Sequence, residues 1–208
     1  MRGYVGVRSM AASALAHIGD PQAVPALKEA LADQSLNLQL AALKSLGELE
    51  CTRALPAIAE FLQANDPRVR RTAALTIGML KGSAAAPQLL NMARNDASPL
   101  VRPAAVEAIG MLGDADMIRY LLPMADDSNA YLRAALAHSL SSLDGESAEV
   151  QKVLMKLTGD QVEHVAIAAQ RALEKCEQRA RDRNAERAAC PEPEQKHTSW
   201  LRRFLGRT

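Results

Sequence analysis

Asp66-Pro67-Arg68-Val69-Arg70-Arg71-Thr72-Ala73-Ala74-Leu75-Thr76-Ile77-Gly78-Met79-Leu80 places apolar or small side chains at Val69, Thr72, Ala73, Thr76, Ile77 and Leu80. The spacing i, i+3, i+4, i+7, i+8, i+11 is one face of an α-helix. Asp66 and Pro67 suit its start, a capping carboxylate followed by a proline whose missing N–H has no helical partner to lose. The same face recurs from Val7, Leu38, Val101, Leu132 and Val165, so the six first members lie 31, 31, 32, 31 and 33 residues apart. One amphipathic face per period of this length marks a stack of helical repeats.

Sizes along the face repeat as well. Bulky residues take the first, fifth and sixth positions, and mostly Ala, Ser or Thr the middle ones, so neighbouring helices can approach closely without large side chains. Each such helix, A, is followed by a shorter pattern, B: Ala23-Val24-Pro25-Ala26-Leu27 with Leu31, Ala54-Leu55-Pro56-Ala57-Ile58 with Leu62, and Ala85-Ala86-Pro87-Gln88-Leu89 with Ala93. The fourth unit keeps Leu121 and Ala125 but has Arg119 at the proline position, and a fifth B helix around residues 150–157 fits loosely. Gly19-Asp20-Pro21, Gly82, Gly113-Asp114 and Gly159-Asp160 punctuate the helices.

Composition agrees. Of 208 residues 48% are hydrophobic, yet only three Tyr, two Phe and one Trp are aromatic, which favours helices over strands. A net charge of +1 excludes a nucleic-acid binder working through bulk positive charge, and no nucleic-acid partner is expected. Cys51, Cys176 and Cys190 form no metal or redox spacing, so neither cofactor nor metal is expected. The first residues superficially suggest a signal peptide, but Arg8 interrupts the apolar run and the segment is in register with the repeats. A cytoplasmic protein is the expectation.

These residues resemble the HEAT-repeat family, in particular the short HEAT-like repeats of the phycobilin lyases. The resemblance rests on Asp66-Pro67-Arg68-Val69-Arg70 running to Gly78, and on Val101-Arg102 running to Gly113-Asp114, and it covers residues 5–176 or so. It implies an all-α solenoid of about five to six repeats. The expected organisation is a solenoid over residues 1–189, with repeats starting near 5, 36, 67, 99, 130 and 162, then a proline-containing linker at 190–198 and an amphipathic basic segment at 199–208. The matching residues are those that build a solenoid, so they say little about function.

The position after the first core residue reads Arg8, Gln39, Arg70, Arg102, Arg133 and Ala166. A basic stripe for an acidic partner is one reading. The preferred one is structural: these arginines join repeats by pairing with turn acids such as Asp66, Asp96 and Asp127 and with nearby carbonyls. His17 and His138 fall at polar helix positions, and the His-Glu dipeptides of HEAT-repeat hydroxylases are missing. Cys176 takes a core slot. Leu75, Met79 and Met111 occupy slots that are polar elsewhere, aligned with Lys44 or Glu48, and form either a partner-binding patch or a surface covered within the array. Glu29, Glu60 and Asn91 share a phase on the B helices and suggest a weakly acidic groove.

At the two ends the pattern changes. The first helix A has no capping helix before it in the sequence, so its face is expected to stack on a second copy or on an upstream portion. The last A helix is expected to run past Cys176 into charge. Residues 1–173 carry 16 basic and 18 acidic side chains, and residues 174–208 carry 9 and 6. In residues 199–208, Trp200, Leu201, Phe204 and Leu205 share one helical face opposite Arg202 and Arg203. That segment reads as a docking helix for a partner groove or a weak anchor on an anionic membrane; alternatively it folds back on the array or has no role.

The preferred function is a non-catalytic scaffold that binds a protein partner, with residues 199–208 as a second contact. The alternative, drawn from the resemblance alone, is a phycobilin-lyase-like enzyme or chaperone component.

Overall fold

The computed structural model describes residues 21–144 and 147–189, together with positions 10, 11 and 14. Ten helices follow in these stretches: α1 (Val24–Leu31), α2 (Leu36–Glu48), α3 (Leu55–Glu60), α4 (Pro67–Met79), α5 (Ala86–Asn95), α6 (Val101–Leu112), α7 (Ile118–Leu121), α8 (Ala130–Asp144), α9 (Ala148–Thr158) and α10 (Glu163–Ala189). No strand occurs among the described residues. The even-numbered helices are the A helices and pack one on the next, while each B helix rests chiefly on the A helix that follows it. The fold is an all-α repeat array.

The B helices start as their prolines dictate. A short 3₁₀ turn leads into α1, α3 and α5, with Pro25, Pro56 and Pro87 at the first helical positions. In the fourth unit Leu121 and Ala125 are buried as expected, but the helix is not continuous: α7 lasts four residues and gives way to a 3₁₀ segment, Leu122–Asp126. Pro123 explains the change, because inside an α-helix it would lose a hydrogen bond and clash with the carbonyl four residues back. α9 is regular, and α10 runs on past Cys176 to Ala189.

The core consists of the repeated face. Val69, Ala73, Thr76 and Ile77 in α4 are buried, as are Val101, Ala105, Ala108 and Ile109 in α6. The small polar residues in this face also hold the array together. Thr76 Oγ1 donates to Leu43 O of the preceding A helix (3.2 Å), and Ser139 Oγ does the same to Val106 O (3.0 Å). A buried hydroxyl with such a partner costs little, and it fixes how one helix sits on the next.

Closest approach occurs one residue beyond the face read from the sequence. A Cβ on Gly78 would lie 2.8 Å from Ala108 Cα, and one on Gly110 would lie 2.6 Å from Ser139 Oγ and 2.9 Å from Ser139 Cα. Gly47 is looser: its nearest neighbour would be Thr76 Cγ2 at 3.2 Å. Gly78 and Gly110 let backbones meet where any side chain would hold them apart.

Three A helices, α2, α4 and α6, end in left-handed turns. Gly113 takes φ +76°, and Glu50 and Lys81 take φ near +50° at the equivalent place. There Cys51 N–H bonds Leu46 O and Gly82 N–H bonds Ile77 O, closing a Schellman motif after α2 and after α4.

Candidate functional site

Three arginines bridge successive repeats. Arg70 Nε and Nη2 donate to the two carboxylate oxygens of Asp96 (both 2.8 Å), and Arg133 donates in the same forked way to Asp160 (2.7 and 2.8 Å). Arg102 pairs with Asp127. Each arginine also reaches a main-chain carbonyl: Ala64 and Asn65 for Arg70, Ala93 for Arg102, Asp127 for Arg133. Every receiving aspartate accepts, in addition, the N–H two residues on: Ser98 for Asp96, Asn129 for Asp127 and Val162 for Asp160. The loop before each A helix is thereby shaped by the residue that ties it to the previous repeat.

These contacts set the protonation of the acids. Burial pushes the Asp96 and Asp127 carboxyls up, but hydrogen bonds from Arg70 or Arg102 and from the loop N–H, with the guanidinium charge, outweigh it and leave both below the ordinary carboxylate value. The Arg133 hydrogen bonds lower Asp160 directly, against a smaller effect of burial.

Asp66 does not belong to this ladder. It accepts from Arg68 N as the cap of α4 and pairs with the Arg68 side chain in its own turn. Its sequence position explains the difference: the joining acids stand five residues before the first core residue, a place that Ala64 occupies in this repeat. Gln39 stands at the arginine position of the preceding repeat and reaches Asp33 O instead (2.8 Å). Both charges are missing at the same joint. Arg8 lies outside the described residues.

The patch residues are found at the surface. Leu75 is half-buried, Met79 is 50% exposed with its thioether against Gly47, and Met111 is 37% exposed. At or in α6, α8 and α10 the structure adds three exposed apolar side chains that the sequence did not single out: Leu100 (61%), Tyr131 (70%) and Ile167 (41%). All six fall on one face of the A helices, away from the core. Positions 68, 71, 75 and 79 form this face in α4; 100, 103, 107 and 111 form it in and just before α6; 131, 134, 138 and 142 in α8; and 164, 167, 171 and 175 in α10. The missed residues precede or interleave the aligned core slots, and only an alignment extended to the outward positions would have found them. The Tyr131 ring stacks on His164 of the next helix, centroids 5.0 Å apart.

On the other side, Glu29, Glu60 and Asn91 are exposed, and a groove lies between α3 and α5. About 530 Å³ in volume, it is lined by Leu62 and Met92, by the carboxamides of Gln63, Gln88, Asn91 and Asn95, and by Asp96, the partner of Arg70. Cys176 is buried, and burial raises its thiol. Among the described residues no group of His, Cys, Asp and Glu is placed to hold a metal ion, and no helix is long and apolar enough to cross a membrane. Of the first A helix, Met10, Ala11 and Ala14 are described, and all three are exposed. Trp200, Leu201, Arg202, Arg203, Phe204, Leu205 and Cys190 lie outside the described residues.

A stack of paired helices with small, close-packed joints and an outward row of exposed side chains defines a helical-repeat protein. The chain belongs to the HEAT-repeat proteins: the model of that family, "HEAT repeats", matches residues 29–109 and 86–174, and the "PBS lyase HEAT-like repeat" model matches residues 7–33. Among solved structures the chain is similar to the complex of CpcE and CpcF of phycocyanin lyase from Nostoc sp. PCC7120, at a TM-score of 0.66 and 24% identity, over 81% of this chain and 71% of that one. It is also similar to an engineered protein, at a TM-score of 0.58 and 18% identity, over 86% and 95% of the two chains. At such identities the likeness is one of fold. No curated protein matches significantly.

Proposed function

We propose that this chain is a non-catalytic scaffold that binds a protein partner on the outward face of its A helices, with residues 199–208 as a second contact. The observation that carries this reading is the gathering of exposed apolar side chains on one face of consecutive helices. Met79, Met111, Leu100, Tyr131 and Ile167 all lie there, whereas the B helices α1, α3, α5, α7 and α9 contribute Met155 alone among the large exposed apolar residues. Exposed apolar side chains gathered on one face of a helical array mark an interaction site. The second contact would raise affinity through effective concentration without enlarging either surface.

Quantitative capture from an extract of the source cells tests this. The full chain, a chain ending at Ala189 and a Met79→Asp/Met111→Asp variant are compared at equal concentration. Each change is expected to reduce recovery of the same partner by about tenfold, in line with the loss of one contact of a bivalent pair. Unchanged recovery with both variants contradicts the reading.

A second reading has specific support in the PBS lyase HEAT-like match at residues 7–33 and in the fold shared with a two-chain lyase complex. On it, the chain is one component of a tetrapyrrole-attaching assembly. Co-expression with a phycobiliprotein and its bilin, with and without this chain, decides it by covalent chromophore fluorescence.

A further inference from the structure

We infer that the partner presents an acidic amphipathic helix to the outward face of the A helices; this rests on the reading above that the face is a docking surface. Charge carries the argument. The twenty outward positions of α2, α4, α6, α8 and α10 hold Lys44, Arg68, Arg71, Arg171 and Lys175 against two carboxylates, Glu48 and Glu107. Residues 1–173, which contain most of this face, have 16 basic and 18 acidic side chains, so the cations are concentrated here rather than spread evenly. Arg68 is partly neutralised by Asp66, whereas Arg71 and Arg171 are exposed and the half-buried Lys175 donates to a neutral partner, the Ser142 hydroxyl.

The apolar side chains lie in two rows across the stacked helices. Leu100 and Tyr131 stand at the helix starts, and Met79 and Met111 at the ends. Neighbouring packed helices leave grooves that accept the ridge of another helix, and such a ridge carries apolar residues at i, i+3, i+4 and i+7. Glutamates or aspartates flanking that ridge would meet the arginines and the lysines. Two other occupants fit less well. Residues 199–208 of this chain are themselves basic, with Arg202, Arg203 and Arg207, and would be repelled. An anionic lipid surface would meet no lysine or arginine at the outward positions of α6 or α8, in the middle of the face.

The full-length protein is titrated with a labelled synthetic helix of about 18 residues, five turns long, with leucines on one face and glutamates beside them. A twin carrying lysine in place of glutamate, and vesicles of phosphatidylcholine with phosphatidylserine, serve as the other arms. The glutamate helix is expected to bind at least about tenfold more tightly than its lysine twin, and to weaken as salt rises. Arg71→Glu/Arg171→Glu and Met79→Ser/Met111→Ser should each weaken it by about fivefold or more while thermal unfolding is unchanged, since these side chains are exposed. Met155→Ser, on a B helix, should have no effect. Equal or tighter binding of the lysine twin overturns the inference but leaves the docking face in place. Binding of the anionic vesicles with no binding of the glutamate helix overturns it in favour of a membrane.

Discussion

The Arg70–Asp96 pair shows how much one residue contributes at a joint. Its side chains are 16% and 7% exposed, and the aspartate also holds the loop N–H of Ser98. Asp96→Asn leaves a largely buried guanidinium without its anion and is expected to cost about 2–3 kcal/mol, read by chemical unfolding. Because Asp96, Asp127 and Asp160 are all held below the ordinary carboxylate value, the folded chain binds fewer protons than the unfolded one in that range. The stability these pairs supply is full above the unfolded carboxylate value near pH 4 and is lost as pH falls through the lowered values. The acid limb of a melting-temperature profile should therefore shrink in Asp96→Asn. Gly110 sets a second residue-scale test. A methyl group there meets the Ser139 backbone at 2.9 Å, so Gly110→Ala should destabilise by about 2 kcal/mol despite the better helix propensity of alanine. Gly47→Ala faces only a methyl at 3.2 Å and should be close to neutral by the same measurement.

At the scale of elements, the joint between the second and third repeats lacks its ion pair on both sides, with Gln39 opposite Ala64. The backbone there is nevertheless the one the aspartates use elsewhere: Ala64 has φ −61° and ψ 147°, against −63° and 133° for Asp96 and −64° and 141° for Asp127. Gln39→Arg and Ala64→Asp together should recreate the bridge, with a coupling of about 1–2 kcal/mol in a double-mutant cycle that neither change shows alone. Helix positions were legible in the sequence because the apolar face and the prolines repeat with one period. The break of the fourth B helix was written there too, as Pro123, but it falls among apolar positions that match their neighbours. What the sequence left open was which acid each arginine meets across a joint. Which acid an arginine meets depends on loop geometry 25 to 27 residues away, and Asp66 looked the equal of Asp96 until the loops were seen.

For the whole molecule, the face turned toward the core was readable from periodicity, and the face turned outward was read only where a methionine or leucine replaced a charge. Leu100, Tyr131 and Ile167 escaped because no single repeat makes them unusual; they become a surface only when the helices are stacked. Met155 provides a comparison, since it is just as exposed and apolar but sits on a B helix. A photo-crosslinking amino acid placed in turn at Met111, at Tyr131 and at Met155, with the full chain expressed in its own cells, tests the central claim most directly. Covalent adducts to the same protein from positions 111 and 131, and none from position 155, are the expected result. Adducts from position 155 with none from positions 111 and 131 would contradict it.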